Sequence, residues 1–126
     1  MILVDTSIWI EFLRQNNGTI DLDLVSEMET GNVIALSPVF GELLQGVKSD
    51  REEKIIIDLW DDLMKVNEYQ LFIQAGKLSY EHKLNTKGIG LIDCAILAAA
   101  KINKLEIWSL DKKLIEASKS LMIANH

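Results

Sequence analysis

The chain has 126 residues, 48% of them apolar and 25% charged, which is enough for one self-supporting domain over residues 1–126 and too apolar for a disordered chain. Its formal charge is −6, from 19 acidic against 13 basic residues, which argues against a general nucleic-acid binder and for carboxylates gathered where a cation neutralises them. A lone cysteine, Cys94, excludes an intrachain disulfide. No run approaches the roughly 20 apolar residues of a membrane helix, and the start lacks a signal-peptide pattern, so a cytoplasmic protein off the membrane is expected.

Ile2–Asp5 reads as a short buried strand ending in an acid. Thr6 or Ser7 is placed to cap a helix running to about Gln15, followed by a turn at Asn16, Asn17 and Gly18. Asp21–Thr30 predicts a helix closed by Gly31, and Val33–Leu36 a second strand. Ser37 as cap and Pro38 at the first helical position open a helix to about Val47. A long amphipathic helix over Asp50–Leu63 leads to a short strand at Met64–Val66. Tyr69–Asn85 is expected to be helical, ending at Thr86-Lys87-Gly88, and Leu91–Ile102 forms an alanine-rich helix. Glu106–Ser109 is a strand, Lys112–Ser118 a helix and Leu121–Ala124 a last strand.

Strands alternating with helices imply an α/β domain whose parallel sheet is covered on both faces. In such sheets the functional crevice lies at the C-terminal ends of the strands. Asp5 stands at one such end, and Asp111 follows Ile107-Trp108-Ser109 at another. Each acid has an ordinary alternative. Asp5 and Asp111 suit helix capping, Glu42 suits a solvated helix face, and Asp93 in a first turn complements the helix dipole. Asp93 is the hardest to dismiss, because its helix is apolar on nearly all sides and a buried carboxylate needs a partner. Brought to one edge, these carboxylates repel one another unless a cation lies between them. Oxygen ligands favour magnesium or manganese, and no Cys/His cluster offers zinc a site.

The segments Val4-Asp5-Thr6-Ser7-Ile8-Trp9, Phe40-Gly41-Glu42-Leu43-Leu44, Leu91-Ile92-Asp93-Cys94-Ala95 and Ser109-Leu110-Asp111, in that order, resemble PIN-domain ribonucleases. They are most similar to the VapC-type toxins of toxin–antitoxin modules. The resemblance spans Ile2 to the last strand. It implies a three-layer α/β/α fold around a twisted parallel sheet of four to five strands. It also implies Asp5, Glu42, Asp93 and Asp111 as the catalytic and metal-binding acids, with Ser7 and Ser109 as supporting hydroxyls. The implied activity is magnesium-dependent cleavage of RNA, with manganese as a substitute. The implied partners are an RNA substrate, a cognate antitoxin and a second copy of the chain. Asp111 is the least secure of the four, since the last acid varies most in the family.

Lys112, Lys113 and Arg14 are candidate RNA contacts; Lys48, Lys83 and Lys87 are weaker ones, and a solvated face accounts for any single lysine. Trp9, Trp60 and Trp108 suit packing better than base stacking, Cys94 reads as a core thiol, and His82 is assigned no role. Three other readings stay open: a housekeeping RNA-processing PIN nuclease, a PIN-like binding module without activity, and a phosphoacceptor receiver domain. The last is disfavoured because Thr6, not an acid, follows Asp5 and Asp111 stands where a lysine belongs.

Overall fold

The computed structural model describes residues 1–14 and 18–126. In chain order the elements are β1 (Ile2–Val4), α1 (Thr6–Leu13), α2 (Thr19–Glu29), β2 (Val33–Ala35), α3 (Ser37–Gln45), α4 (Asp50–Asp62), β3 (Met64–Lys65), α5 (Leu71–His82), α6 (Leu91–Asn103), β4 (Glu106–Trp108) and α7 (Lys112–Ser120). The strands form one all-parallel sheet in the order β3-β2-β1-β4. Every residue of β1 and β2 is buried, so both faces of the central strands are covered, as a parallel sheet requires.

The apolar sequence of α6 has a plain physical outcome. Cys94 through Ala100 are all buried, and alanines let α5 and β4 approach this helix closely. The three tryptophans are packing residues. Trp9 is fully buried against Phe12 and Phe40, Trp60 lies against Phe40, and Trp108 is buried in β4.

Several boundaries differ from the sequence reading, and each has a cause. The expected end of the first helix at Gln15 and the turn at Asn16 and Asn17 lie outside the described residues; Gly18 is the extended N-cap of α2, which begins two residues earlier than Asp21. Gly31 ends α2 as expected, at φ +69°, with its N–H on the Met28 carbonyl and the Asn32 N–H on that of Glu27. Ser37 does not cap α3. Leu36 is the N-cap, Ser37 and Pro38 are inside the first turn, and the carboxylate of Glu68 accepts from both the Ser37 N–H and its hydroxyl. α5 is shorter than expected because Gln70 and Lys83 adopt left-handed backbone at φ 59° and 55°; a 3₁₀ turn at Asn85–Lys87 follows. The last strand reduces to a single bridge between Asn125 and Ile107, where Ile107 N–H donates to Ala124 and Ile107 C=O accepts from His126.

Candidate active site

The C-terminal ends of β1 and β4 meet through the bond from the Asp5 N–H to the Trp108 carbonyl, 2.9 Å long. This pairing sets Asp5 beside the turn Ser109-Leu110-Asp111. Asp5 occupies the N-cap position of α1, yet its carboxylate makes no capping bond. It is 5% exposed, and its Oδ2 instead accepts from Ser7 Oγ at 2.9 Å and Ser109 Oγ at 2.7 Å. The two hydroxyls are tied down in turn: Ser7 Oγ accepts from the Leu110 N–H at 3.0 Å, and Ser109 Oγ from the Asp111 N–H at 2.9 Å. The capping account of Asp5 therefore fails. A buried carboxylate is oriented by two hydroxyls, one two residues away in sequence and the other 104.

Asp111 behaves differently. It is exposed, and its Oδ1 accepts from the Lys113 and Leu114 N–H groups at 2.9 and 3.4 Å, a true N-cap of α7. Both bonds fall on one oxygen. Glu42 on α3 is exposed and is held by Thr6 Oγ1 at 2.8 Å. Thr6 is a residue the sequence reading considered only as a helix cap. Its pairing with a glutamate 36 positions away exists only once β1 and β2 are side by side.

Asp93 lies half-buried in the first turn of α6. Its carboxyl is pushed up from 3.8 to about 6, first by burial and then by the negative charges of Asp5, Asp111 and Glu42. All four predicted acids thus share one electrostatic neighbourhood. They stand at electrostatic rather than coordinating range. Among the described residues, the one set of three acid, histidine or cysteine donors within 4.8 Å of one another is Asp23, Glu27 and His126, elsewhere on the molecule. The donor set is nonetheless all oxygen, and mutual repulsion of the kind that raises Asp93 is what a hard divalent cation relieves.

Of the predicted basic residues, Lys112 and Lys113 are exposed in the first turn of α7, and the Lys113 ammonium lies against Gly88, in the loop entering α6. Gly88 has φ +77°, and a Cβ there would meet Lys113 Nζ at 3.0 Å. Arg14 is distant in character: it is exposed, pairs with Glu11 at 3.5 Å and borders an apolar groove of about 940 Å³ between α1, α2, α3 and α4. Ile10, Leu13, Val25, Leu43, Val47 and Leu59 line this groove, and Glu42 reaches its edge.

The fold and the acid-lined sheet edge define a PIN domain. The PIN-domain family model matches residues 2–120, and the chain belongs to that family. It is 30% identical to Ribonuclease VapC32 of Mycobacterium tuberculosis over 119 residues, covering 90% of this chain and 87% of the relative. Solved structures with the same fold include VapBC2 from Rickettsia felis bound to a promoter DNA fragment, with TM-score 0.70 and 19% identity over 93% of this chain and 92% of that one. A toxin–antitoxin complex from Klebsiella pneumoniae gives TM-score 0.68 and 21% identity over 90% and 88% of the two chains. FitAcB from Neisseria gonorrhoeae gives 0.64 and 20% over 99% and 96%. Among the described residues no helix is long and apolar enough to cross a membrane.

Proposed function

We propose that this PIN domain is the toxin of a toxin–antitoxin pair and cleaves RNA with a divalent metal, magnesium or in its place manganese, held by Asp5, Asp93, Glu42 and Asp111. The observation that best supports this reading is the buried Asp5 carboxylate held by Ser7 and Ser109 beside the Asp111 turn, with the charges of Asp5, Asp111 and Glu42 adding to the burial that raises Asp93. Magnesium bound there supplies a Lewis acid for the phosphate and an attacking water of lowered pKa. The protein's part is orientation. Ser7 and Ser109 fix Asp5 through one oxygen, Thr6 restrains Glu42, and α7 holds Asp111 by its backbone. Lys113 and Lys112 stand next to Asp111 and offer cationic contacts for the phosphates on either side of the cut. The substrate is RNA in single-stranded or looped form, whose unstacked bases and free backbone are open to recognition.

The apolar groove suits a helix of the antitoxin. Glu42 lies at the groove's edge, so docking there and control of the acid cluster would be physically joined. Solved relatives that are toxin–antitoxin complexes support this partner. A second copy of the chain is proposed to cover the apolar side chains exposed on and near α5, among them Phe72, Ile73 and Tyr80. An RNA substrate fits a cytoplasmic site of action. A housekeeping RNA-processing role uses the same chemistry but leaves the groove unexplained.

The test is cleavage of total RNA by the purified chain with and without magnesium, beside Asp93→Asn. Metal-dependent cutting that the variant lacks supports the reading. Equal cutting by the variant, or cutting in excess chelator, rules the acid cluster out as its source.

A further inference from the structure

We propose that Asp23, Glu27 and His126 form a second metal site, separate from the four acids at the sheet edge, that takes a borderline divalent transition ion such as zinc. Asp23 and Glu27 are spaced i, i+4 on α2, so both carboxylates leave the same side of the helix. His126 reaches them from the segment that runs beside β4. One donor atom from each residue lies within 4.8 Å of the other two. His126 Nε2 and Asp23 Oδ2 are 3.0 Å apart. Donors bound at about 2.1 Å to a four- to six-coordinate ion sit roughly 3.0–3.4 Å from one another, so this pair already has the spacing of two ligands.

The three side chains are held from outside the cluster as well. The His126 backbone N–H donates to Ile107 C=O at 2.9 Å, and its ring packs 4.5 Å from that of Trp108. Glu27 Oε2 accepts from Asn32 Nδ2 at 2.6 Å, and Asn32 is fixed by the turn that ends α2. An amide bonded to one oxygen of a carboxylate is the common outer support of a metal ligand. A simple His–Asp ion pair accounts for Asp23 and His126, and the Asn32 bond for one oxygen of Glu27; a bound ion accounts for all three donors facing one another. Among the described residues no lysine or arginine forms an ion pair with Asp23 or Glu27. An imidazole nitrogen with two carboxylate oxygens suits zinc or cobalt far better than magnesium.

A bound ion would join α2 to the 124–126 segment and, through Trp108, to the strand whose carbonyl holds the Asp5 N–H. The site is thus structural, a clamp between α2 and the 124–126 segment.

Cobalt(II) is the probe, because its visible bands report coordination. The untagged full chain is titrated as wild type, Asp93→Asn, Glu27→Gln and His126→Ala. The expected result is about one ion per chain in Asp93→Asn, displaced by zinc, with wild type holding that same ion besides any at the four acids, and binding of that ion at least about tenfold weaker in Glu27→Gln and His126→Ala. His126 is at the surface, so its variant is expected to stay folded by circular dichroism, and Glu27→Gln keeps the shape of the side chain. The proposal is overturned if wild type binds no cobalt below about 1 mM, if His126→Ala and Glu27→Gln bind as tightly as wild type, or if Asp93→Asn abolishes binding, which would put the ion in the acid cluster.

Discussion

Leu3, Ile96 and Ile107 are fully buried among apolar neighbours in the body of the sheet and its covering helix. Within two to four residues of these stand Asp5, Asp93, Ser109 and Asp111. The lower region contributes stability through close packing, where every lost methyl leaves a void. The upper region does the reverse: it half-buries Asp93 among like charges, which together raise that carboxyl's affinity for a proton. The contrast teaches that the sheet edge is not shaped by folding alone. It is held in an arrangement that costs stability, and the packed sheet beneath supplies the rigidity that makes this tolerable.

The contrast can be broken most sharply by activity. Asp5→Asn or Asp93→Asn should reduce RNA cleavage by about a thousandfold, roughly 4 kcal/mol of transition-state stabilisation, with the circular dichroism spectrum unchanged. Cleavage within a few-fold of wild type would remove the acids from the chemistry. Below the edge the expected pattern is inverted. Trp9→Ala should cost about 3–5 kcal/mol in denaturant unfolding, because a fully buried indole between Phe12 and Phe40 is lost.

Asp93 sharpens the comparison through pH. The folded carboxyl keeps its proton to about pH 6, while the unfolded one releases it near 3.8. The folded state therefore binds the extra proton in that window, and stability falls as pH rises through it. Asp93→Asn removes the loss, so in metal-free buffer the variant should be more stable than wild type at pH 7 by about 1–2 kcal/mol, a figure discounted for partial solvent screening. Below about pH 4 the difference should close. Unfolding curves at the two pH values check this; a variant less stable at pH 7 would mean that Asp93 serves the fold. Magnesium should raise the melting temperature of wild type and not of Asp93→Asn, since only a ligand of the native state does so.

An effect of similar size to that of Asp93→Asn, opposite in sign, concerns Ser109. Its hydroxyl bonds a buried carboxylate, so Ser109→Ala should cost about 1–2 kcal/mol, and much less in an Asp5→Asn background. A double-mutant cycle with no coupling between the two would show that the hydroxyl does not act on Asp5.

How far the sequence carried this picture depends on the range of the interaction involved. The apolar triplet before Asp5 and the unbroken apolar run of α6 declare their elements locally, and so the strand ends and Asp93 were legible. The ordered acids carried the family resemblance. What stayed hidden were bonds between distant positions. Glu68 satisfying the start of α3 and Thr6 holding Glu42 join residues 31 and 36 apart, and nothing local marks them. The left-handed Gln70 and Lys83 escaped because neither is a residue type that announces such a backbone. The expected strand at Leu121–Ala124 has the right composition, but Met122 turns left-handed at φ 61° and only the bridge at Asn125 survives.

That remnant bridge has a consequence for how molecules of this protein meet one another. A parallel sheet four strands wide has two flanks at which a foreign strand can add. On the β4 flank, Ile107 has both its N–H and its C=O occupied by the chain's own last residues. On the other, β3 is only two residues long and carries Lys65, too short and too charged to template another chain. Unpicking the 124–126 segment from Ile107 should therefore expose a sticky flank, and that segment also keeps neighbouring copies from growing onto it.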